Sequence, residues 1–230
     1  MTEAETPLSG GRTTSGVVRV GATVRRPPGP NAGFVRQLLR HVESRGFTAA
    51  PRYLGVDDQG RESFTFVAGH VPRELGEFSD AQLETAARLL REFHEATRGS
   101  ELTGAHEVVC HGDASPCNFV FVDDMPVALI DFDAAHAGRR REDLGYAAWL
   151  WLDIGSASLS ANLQGARLAR FVRAYGGDVA DAVSAVLDAQ AELASRPCAA
   201  EATRQWAKSC AAWVLANRDS LGAAVHGDVT

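Results

Sequence analysis

Three polar residues lie at spacings that suit phosphate chemistry: Asp113, Asn118 five residues later, and Asp131 thirteen further on. They fall in the stretch VCHGDASPCNFVFVDDMPVALIDFD, which runs from Val109 to Asp133. Two carboxylates and an amide oxygen brought to one point make a hard-cation site. Such a site suits Mg²⁺, which takes few protein ligands and leaves places for phosphate oxygens.

The intervening residues explain how these groups would meet. Phe119 to Val122 reads as one strand and Val127 to Ile130 as a second, with Asp123-Asp124-Met125-Pro126 supplying the turn. A hairpin folds its ends together, so Asn118 and Asp131 should converge, with Asp113 reaching the same point from the loop ahead.

The order acid, amide five residues on, hairpin, acid resembles the catalytic segment of protein kinases. His111-Gly112-Asp113 stands in place of His-Arg-Asp, and Asp131-Phe132-Asp133 in place of Asp-Phe-Gly. The match is fuller with the aminoglycoside phosphotransferase family, which includes choline kinases and carries HGDxxxxN, a hairpin and IDF(D/E). His111-Gly112-Asp113, Asn118 and Ile130-Asp131-Phe132-Asp133 fit that signature. The resemblance implies an α+β, protein-kinase-like two-lobe fold. A truncated, β-rich small lobe would span residues 1–68 and a mostly helical lobe residues 69–230. It implies an ATP-dependent phosphotransferase that moves the γ-phosphoryl group to a hydroxyl of a small molecule, an aminoglycoside-type antibiotic among the candidates. Asp113 would be the catalytic base, His111 would orient its loop, and Asn118 and Asp131 would hold Mg²⁺ across the phosphates of ATP. Asp133 would bind a second metal or cap a turn. Asp143 would cap the next helix and, in the family, also support the catalytic loop. A second His-Gly-Asp at 226–228 is followed by neither the asparagine nor a hairpin and is read as chance.

Upstream, residues 1–7 are expected to be disordered and Leu8–Gly16 to form a glycine-bearing turn. Two short strands should follow, Val17–Val20 and Ala22–Arg25, around Gly21. A kinase places a lysine on the third strand to hold phosphates. Lys208 is the only lysine here, against 22 arginines. Arg25 is therefore the expected nucleotide-binding substitute, with Arg26 the alternative. A helix is predicted over Ala32–Ser44, capped by Asn31, whose only acid, Glu43, lies too late to pair with the strand cation. Tyr53–Val56 and Glu62–Val67 form a further hairpin. The resemblance makes Phe66, Val67 and Ala68 the hinge that meets the adenine through main-chain atoms.

Downstream, Ser79 caps a helix in which His94 is expected to be packed rather than catalytic. Arg139 to Arg141 read as a solvated basic turn. Helices are predicted over about 160–175, 179–194 and 199–217, with Trp206 and Trp213 as core anchors; in the family these helices wall the acceptor pocket.

The bulk numbers agree with a globular enzyme. The chain has 230 residues, is 45% hydrophobic and carries a formal charge of −6. That charge disfavours nucleic acid and mildly favours a cationic substrate, although an acidic surface for solubility explains it equally well. Cys110, Cys117, Cys198 and Cys210 lack metal-ligand spacing and are expected to be reduced. No stretch is long enough to span a membrane, and MTEAETPLSGG has no apolar run, so a cytoplasmic location is expected. The missing lysine leaves open a second reading, a catalytically weak or silent nucleotide-binding module. A third, a metal-dependent hydrolase, would ask for more histidine ligands.

Overall fold

The computed structural model describes residues 4–8 and 16–226. An antiparallel sheet opens the chain: β1 (Glu5–Pro7), β2 (Val18–Val20), β3 (Thr23–Arg26), β4 (Tyr53–Val56) and β5 (Glu62–Thr65), in the order β1-β2-β3-β5-β4. β1 corrects the expectation of disorder for residues 5–7. Thr6 pairs with Arg19, and Arg61 holds the Glu5 carboxylate at 2.8 Å. Most of the glycine-bearing turn expected over 8–16 lies outside the described residues.

Between β3 and β4 runs α1 (Ala32–Ser44), with the bounds its periodicity predicts. Val35, Leu38, Leu39 and Val42 recur at helical spacing and are all buried. Each such side chain contributes roughly 1.5–3 kcal/mol by leaving water. The expected cap is not made. Asn31 instead sends its amide across to the carbonyls of Asp133 (3.1 Å) and Ala135 (2.9 Å), tying the start of α1 to the segment that follows Asp131.

After β5 the chain crosses to the second part and is clamped there. His70 and Phe121 exchange both backbone hydrogen bonds, at 2.8 and 2.7 Å. Gly69 is needed at this crossing, since its φ is +149° and a Cβ would lie 2.5 Å from the Phe121 carbonyl oxygen.

The second part begins with α2 (Asp80–Thr97), whose start is fixed by reciprocal hydrogen bonds between Ser79 and Gln82. Next come β6 (Val108–Cys110), β7 (Phe119–Val122), β8 (Met125–Leu129) and β9 (His136–Gly138). β7 pairs with β8 as the predicted hairpin; β6 pairs with β9 in a small sheet that the pattern did not announce. The turn is tighter than expected. Asp123 and Asp124 alone make it, with φ +48° and +61°, and Met125 and Pro126 join the strand. Pro126 sits opposite Phe121, where the register shifts.

Helices α3 (Arg140–Leu152), α4 (Ala161–Tyr175), α5 (Ala182–Ser195) and α6 (Glu201–Ala216) complete the core. The last three lie close to their predicted bounds, whereas α3 starts before Asp143, so that Arg140 and Arg141 belong to its first turn rather than to a basic turn. α7 (Arg218–His226) was not anticipated. Trp149, Trp151, Phe93, Phe119, Phe132 and Phe171 are wholly buried and pin the hairpin to these helices. Trp206 stacks on Trp149 at 4.7 Å, and both Trp206 and Trp213 pack on the core.

Candidate active site

The loop that follows β6 is held from below by one buried acid. Asp143, 2% exposed in the first turn of α3, accepts the backbone N–H groups of His111 (2.5 Å) and Gly112 (2.9 Å). His94 donates to it from Nε2 at 3.0 Å, while His94 Nδ1 accepts from the Tyr175 hydroxyl at 2.6 Å. Burial alone would push the Asp143 carboxyl up. These donors outweigh it and hold the group below the ordinary carboxylate range. Arg139, not Asp143, occupies the cap position, so only the supporting role implied by the resemblance is seen. His94 is fully buried and spent in this network, as expected.

His111 is fully buried. Its Nε2 donates to the Ile130 carbonyl at 3.0 Å, and its Nδ1 faces the Asp113 N–H at 3.4 Å. The ring thus bridges the loop and the far strand of the hairpin. Gly112 takes φ +78° against the Ala134 backbone, where a Cβ would clash. The chain can then turn sharply enough to present Asp113.

Asp113 accepts a hydrogen bond at Oδ1 from the Tyr146 hydroxyl, at 2.9 Å. Asn118 donates its amide to the Asp113 carbonyl at 2.8 Å, which leaves its amide oxygen for a ligand. The Asn118 carbonyl accepts from Ile130 N–H at 2.9 Å, closing the hairpin one residue before Asp131. Asp131 takes a left-handed backbone (φ +62°), and its carboxylate lies 3.8 Å from Arg26, partly screened from water. Burial and the neighbouring Asp133 push its carboxyl up, while Arg26 opposes the shift.

The two arginines of β3 go separate ways. Arg25 stands 3.6 Å from Asp57, away from the hairpin ends. Arg26 points to them: its terminal nitrogens grip Asp133 at 2.8 and 2.5 Å, and Asp131 Oδ1 lies 3.8 Å away. Alternation along a strand sends neighbours to opposite faces, and the face that meets the acids belongs to Arg26, the alternative, rather than Arg25. Glu43 is turned to Arg52 at 3.8 Å and takes no part. Lys208 is exposed on α6.

Phe66, Val67 and Ala68 follow β5 at the crossing, the first two half-buried and Ala68 exposed. Phe66 donates its N–H to Ala22 at 2.8 Å. Among the described residues, no hydrogen bond uses Val67 or Ala68 main-chain groups, so their donors and acceptors are open to a ligand.

The donor set fits a divalent cation. Asp131 and Asp133 both lie against the Arg26 guanidinium, the Asn118 amide oxygen is left free by its own hydrogen bond, and carboxylate and amide oxygens are the donors a hard divalent cation takes. Charge in the wider neighbourhood is settled in pairs. Arg139, Arg140 and Arg141 are bonded to Glu142, Glu95 and Asp188. A recess of 480 Å³ lined in part by Glu74, Glu77, Phe78, Phe121, Asp123 and Asp124 lies at the hairpin's turn, the end opposite Asp113, Asn118 and Asp131. Sequence reasoning missed Tyr146 and Glu62, the latter buried across from Arg26. Tyr146 lies three residues past Asp143 on one helical face, a spacing that could have suggested it.

The chain is similar to several known proteins. The model of the phosphotransferase enzyme family matches residues 95–184, which carry Asp113, Asn118, Asp131 and Asp143. The trifolitoxin immunity protein of Rhizobium leguminosarum bv. trifolii is 33% identical, over 94% of this chain and 96% of that one. A choline/ethanolamine kinase family protein from Mesorhizobium loti superposes with a TM-score of 0.61 at 18% identity, covering 97% and 92% of the two chains. The streptomycin–ATP complex of APH(2")-IIa gives 0.58 at 14% identity, with 83% of each chain covered. A microcompartment-associated aminopropanol kinase gives 0.61 at 14%, with 95% and 93% covered.

Proposed function

The chain belongs to the phosphotransferase enzyme family and has its protein-kinase-like fold, and from that premise we propose that it moves the γ-phosphoryl group of ATP to a hydroxyl of a small molecule. The observation that carries this reading is the joint placement of Asp113 and the hairpin ends. Asp113 has one carboxylate oxygen held by Tyr146 and the other open, while Asn118 and Asp131 stand side by side across the hairpin base. Residues 1–68 and 69–230 act as the two lobes, and the nucleotide enters between them.

In this scheme the main-chain groups of Val67 and Ala68 receive the adenine, and Phe66 packs beside it. Arg26 contributes the phosphate contact that a strand lysine makes in other kinases; its fork suits two phosphate oxygens at once. Asn118 Oδ1 and Asp131 would hold Mg²⁺, with Asp133 beside them, and a cation there would supply neutralisation of the charge on the transferring phosphoryl group. Asp113 orients the acceptor hydroxyl and takes its proton as the bond to phosphorus forms. His111 and Asp143 keep the loop in place. Most of the barrier reduction comes from positioning, because little covalent work falls to the protein.

The acceptor is a small hydroxylated compound. Aminoglycosides and amino alcohols lead the candidates, from the ligands and activity named for the neighbours. Phosphorylation that blunts a toxic compound would also suit the immunity role named for the relative. No helix among the described residues is long and apolar enough to cross a membrane, and a cytoplasmic enzyme would meet ATP directly. The test is a thermal-shift measurement with Mg–ATP, followed by a radiolabelled-ATP screen against aminoglycosides, amino alcohols and sugars. Stabilisation by the nucleotide with label on an acceptor supports the assignment. Stabilisation with no transfer and no slow ATP hydrolysis favours the silent module, whose best support is the closed Arg26–Asp133 pair.

A further inference from the structure

The scheme above leaves one buried charge unused. Glu62 on β5 is 2% exposed, and neither carboxylate oxygen accepts a hydrogen bond. A carboxylate taken out of water without donors is costly, and such a group in a folded protein calls for a reason. The strand register puts Glu62 directly opposite Arg26, with both side chains on one face of the sheet. From α1, Arg36 Nε stands 3.6 Å from Glu62 Oε1. Arg26 has a matching deficit: its Nε is buried and unpaired while both terminal nitrogens are drawn to Asp133.

We propose that Glu62 is the positioning carboxylate of the nucleotide site, receiving the Nε edge of Arg26 when Mg²⁺–nucleotide occupies Asp131 and Asp133. In the structure Arg26 lies against those two acids as their neighbouring cation. The inference rests on the phosphotransferase reading. Its logic is a count of donors. A guanidinium has five, arranged along two usable edges. Gripping Asp133 leaves Nε idle and Glu62 unpaired. Turning so that Nε and one terminal nitrogen meet Glu62 frees the opposite edge for phosphate and releases Asp133 and Asp131 to a metal ion. Both orphaned groups are satisfied by one rotation. The helix that would hold the pairing acid in a kinase here supplies a cation, Arg36, on the far side of Glu62, so the acid that positions the strand cation comes from a strand instead.

Isothermal titration of Mg–ADP and of Mg²⁺ alone would be compared for wild type, Glu62→Gln, Arg26→Gln and the double variant, with melting temperatures for each. Glu62→Gln should weaken Mg–ADP binding about tenfold, as loss of one charged hydrogen-bonded pair requires. Arg26→Gln should do the same, and the double variant should be no worse than either. Mg²⁺ alone should bind more tightly to Arg26→Gln, whose competing guanidinium is gone, and no differently to Glu62→Gln. Without nucleotide, Glu62→Gln should melt higher than wild type, whereas a merely structural carboxylate would lower the melting point when removed. Should Glu62→Gln fold poorly, that outcome itself counts against the proposal, and Glu62→Asp repeats the binding measurement with charge retained. Unchanged Mg–ADP affinity in Glu62→Gln, or independent losses that multiply in the double variant, would overturn it. A wild type that binds no Mg–ADP at all would instead defeat the phosphotransferase reading beneath it.

Discussion

Asp113, the proposed base, is held without being spent. One oxygen is fixed by Tyr146 and the other is left to work. Asp113→Ala should leave nucleotide affinity near wild type and reduce phosphoryl transfer by a factor of about 10³ or more, as expected for a positioned base. Calorimetry and a coupled assay read the two effects separately, and near-normal turnover would remove Asp113 from the mechanism. Tyr146→Phe should cost turnover about tenfold through a less well-oriented base, with nucleotide affinity unchanged. The spacing of Asp113, Asn118 and Asp131 was legible because loop and hairpin geometry are local. The partners that make them work were not. Glu62 reads as an ordinary hairpin glutamate until the β3–β5 register sets it against Arg26. The choice between Arg25 and Arg26 turns on strand phase, which flips with a slip of one residue.

The hairpin of β7 and β8 is the element that does the assembling. One end carries Asn118 and Asp131; its first strand is bonded at Phe121 to His70 of the crossing. Its existence followed from two apolar runs, but its turn was misplaced by reading Pro126 as a breaker. The register shift beside Phe121 lets that proline sit in the strand. The real turn places two aspartates at positive φ, where glycine is preferred in the second position. Asp124→Gly should therefore stabilise the protein by about 0.5 kcal/mol, since the backbone carbonyl that accepts from Gln82 is kept. Urea denaturation would report it, and a clear loss of stability would mean that the Asp124 side chain has a role the backbone geometry does not show. Helices α1 to α6 were legible by period; β1, β6, β9 and α7 were not. β1, β6 and β9 are three residues long and form because their neighbours supply the pairing; β2, equally short, was legible because Gly21 and the next apolar run mark a hairpin around it.

Across the whole molecule, the acid that supports the catalytic loop also joins β6, α2, α3 and α4, since Asp143, His94, Tyr175 and the loop amides form one network. Asp143→Ala leaves three donors facing a gap and should cost about 3 kcal/mol at neutral pH. The pH dependence follows from the lowered Asp143 carboxyl. The folded state holds its proton less tightly than the unfolded chain, so the stabilisation is complete above the ordinary aspartate range. It fades as pH falls through that range and towards the lower folded value. Denaturation midpoints for wild type and Asp143→Ala should differ widely at pH 7 and converge in acid; a constant gap would rule the network out as the source. His94 and Asp143 were flagged separately by the sequence, but their contact spans 49 residues and is set only by how α2 packs on α3.

A site whose strand cation is Arg26 and whose only lysine lies out on α6 has a consequence for chemical labelling. Nucleotide analogues that acylate an amine beside the phosphates need a nitrogen that can shed its proton, and a guanidinium does not do so at any working pH. Such a reagent should leave the cleft untouched and modify Lys208, so peptide maps of the treated protein would make this enzyme look inert while it still turned over.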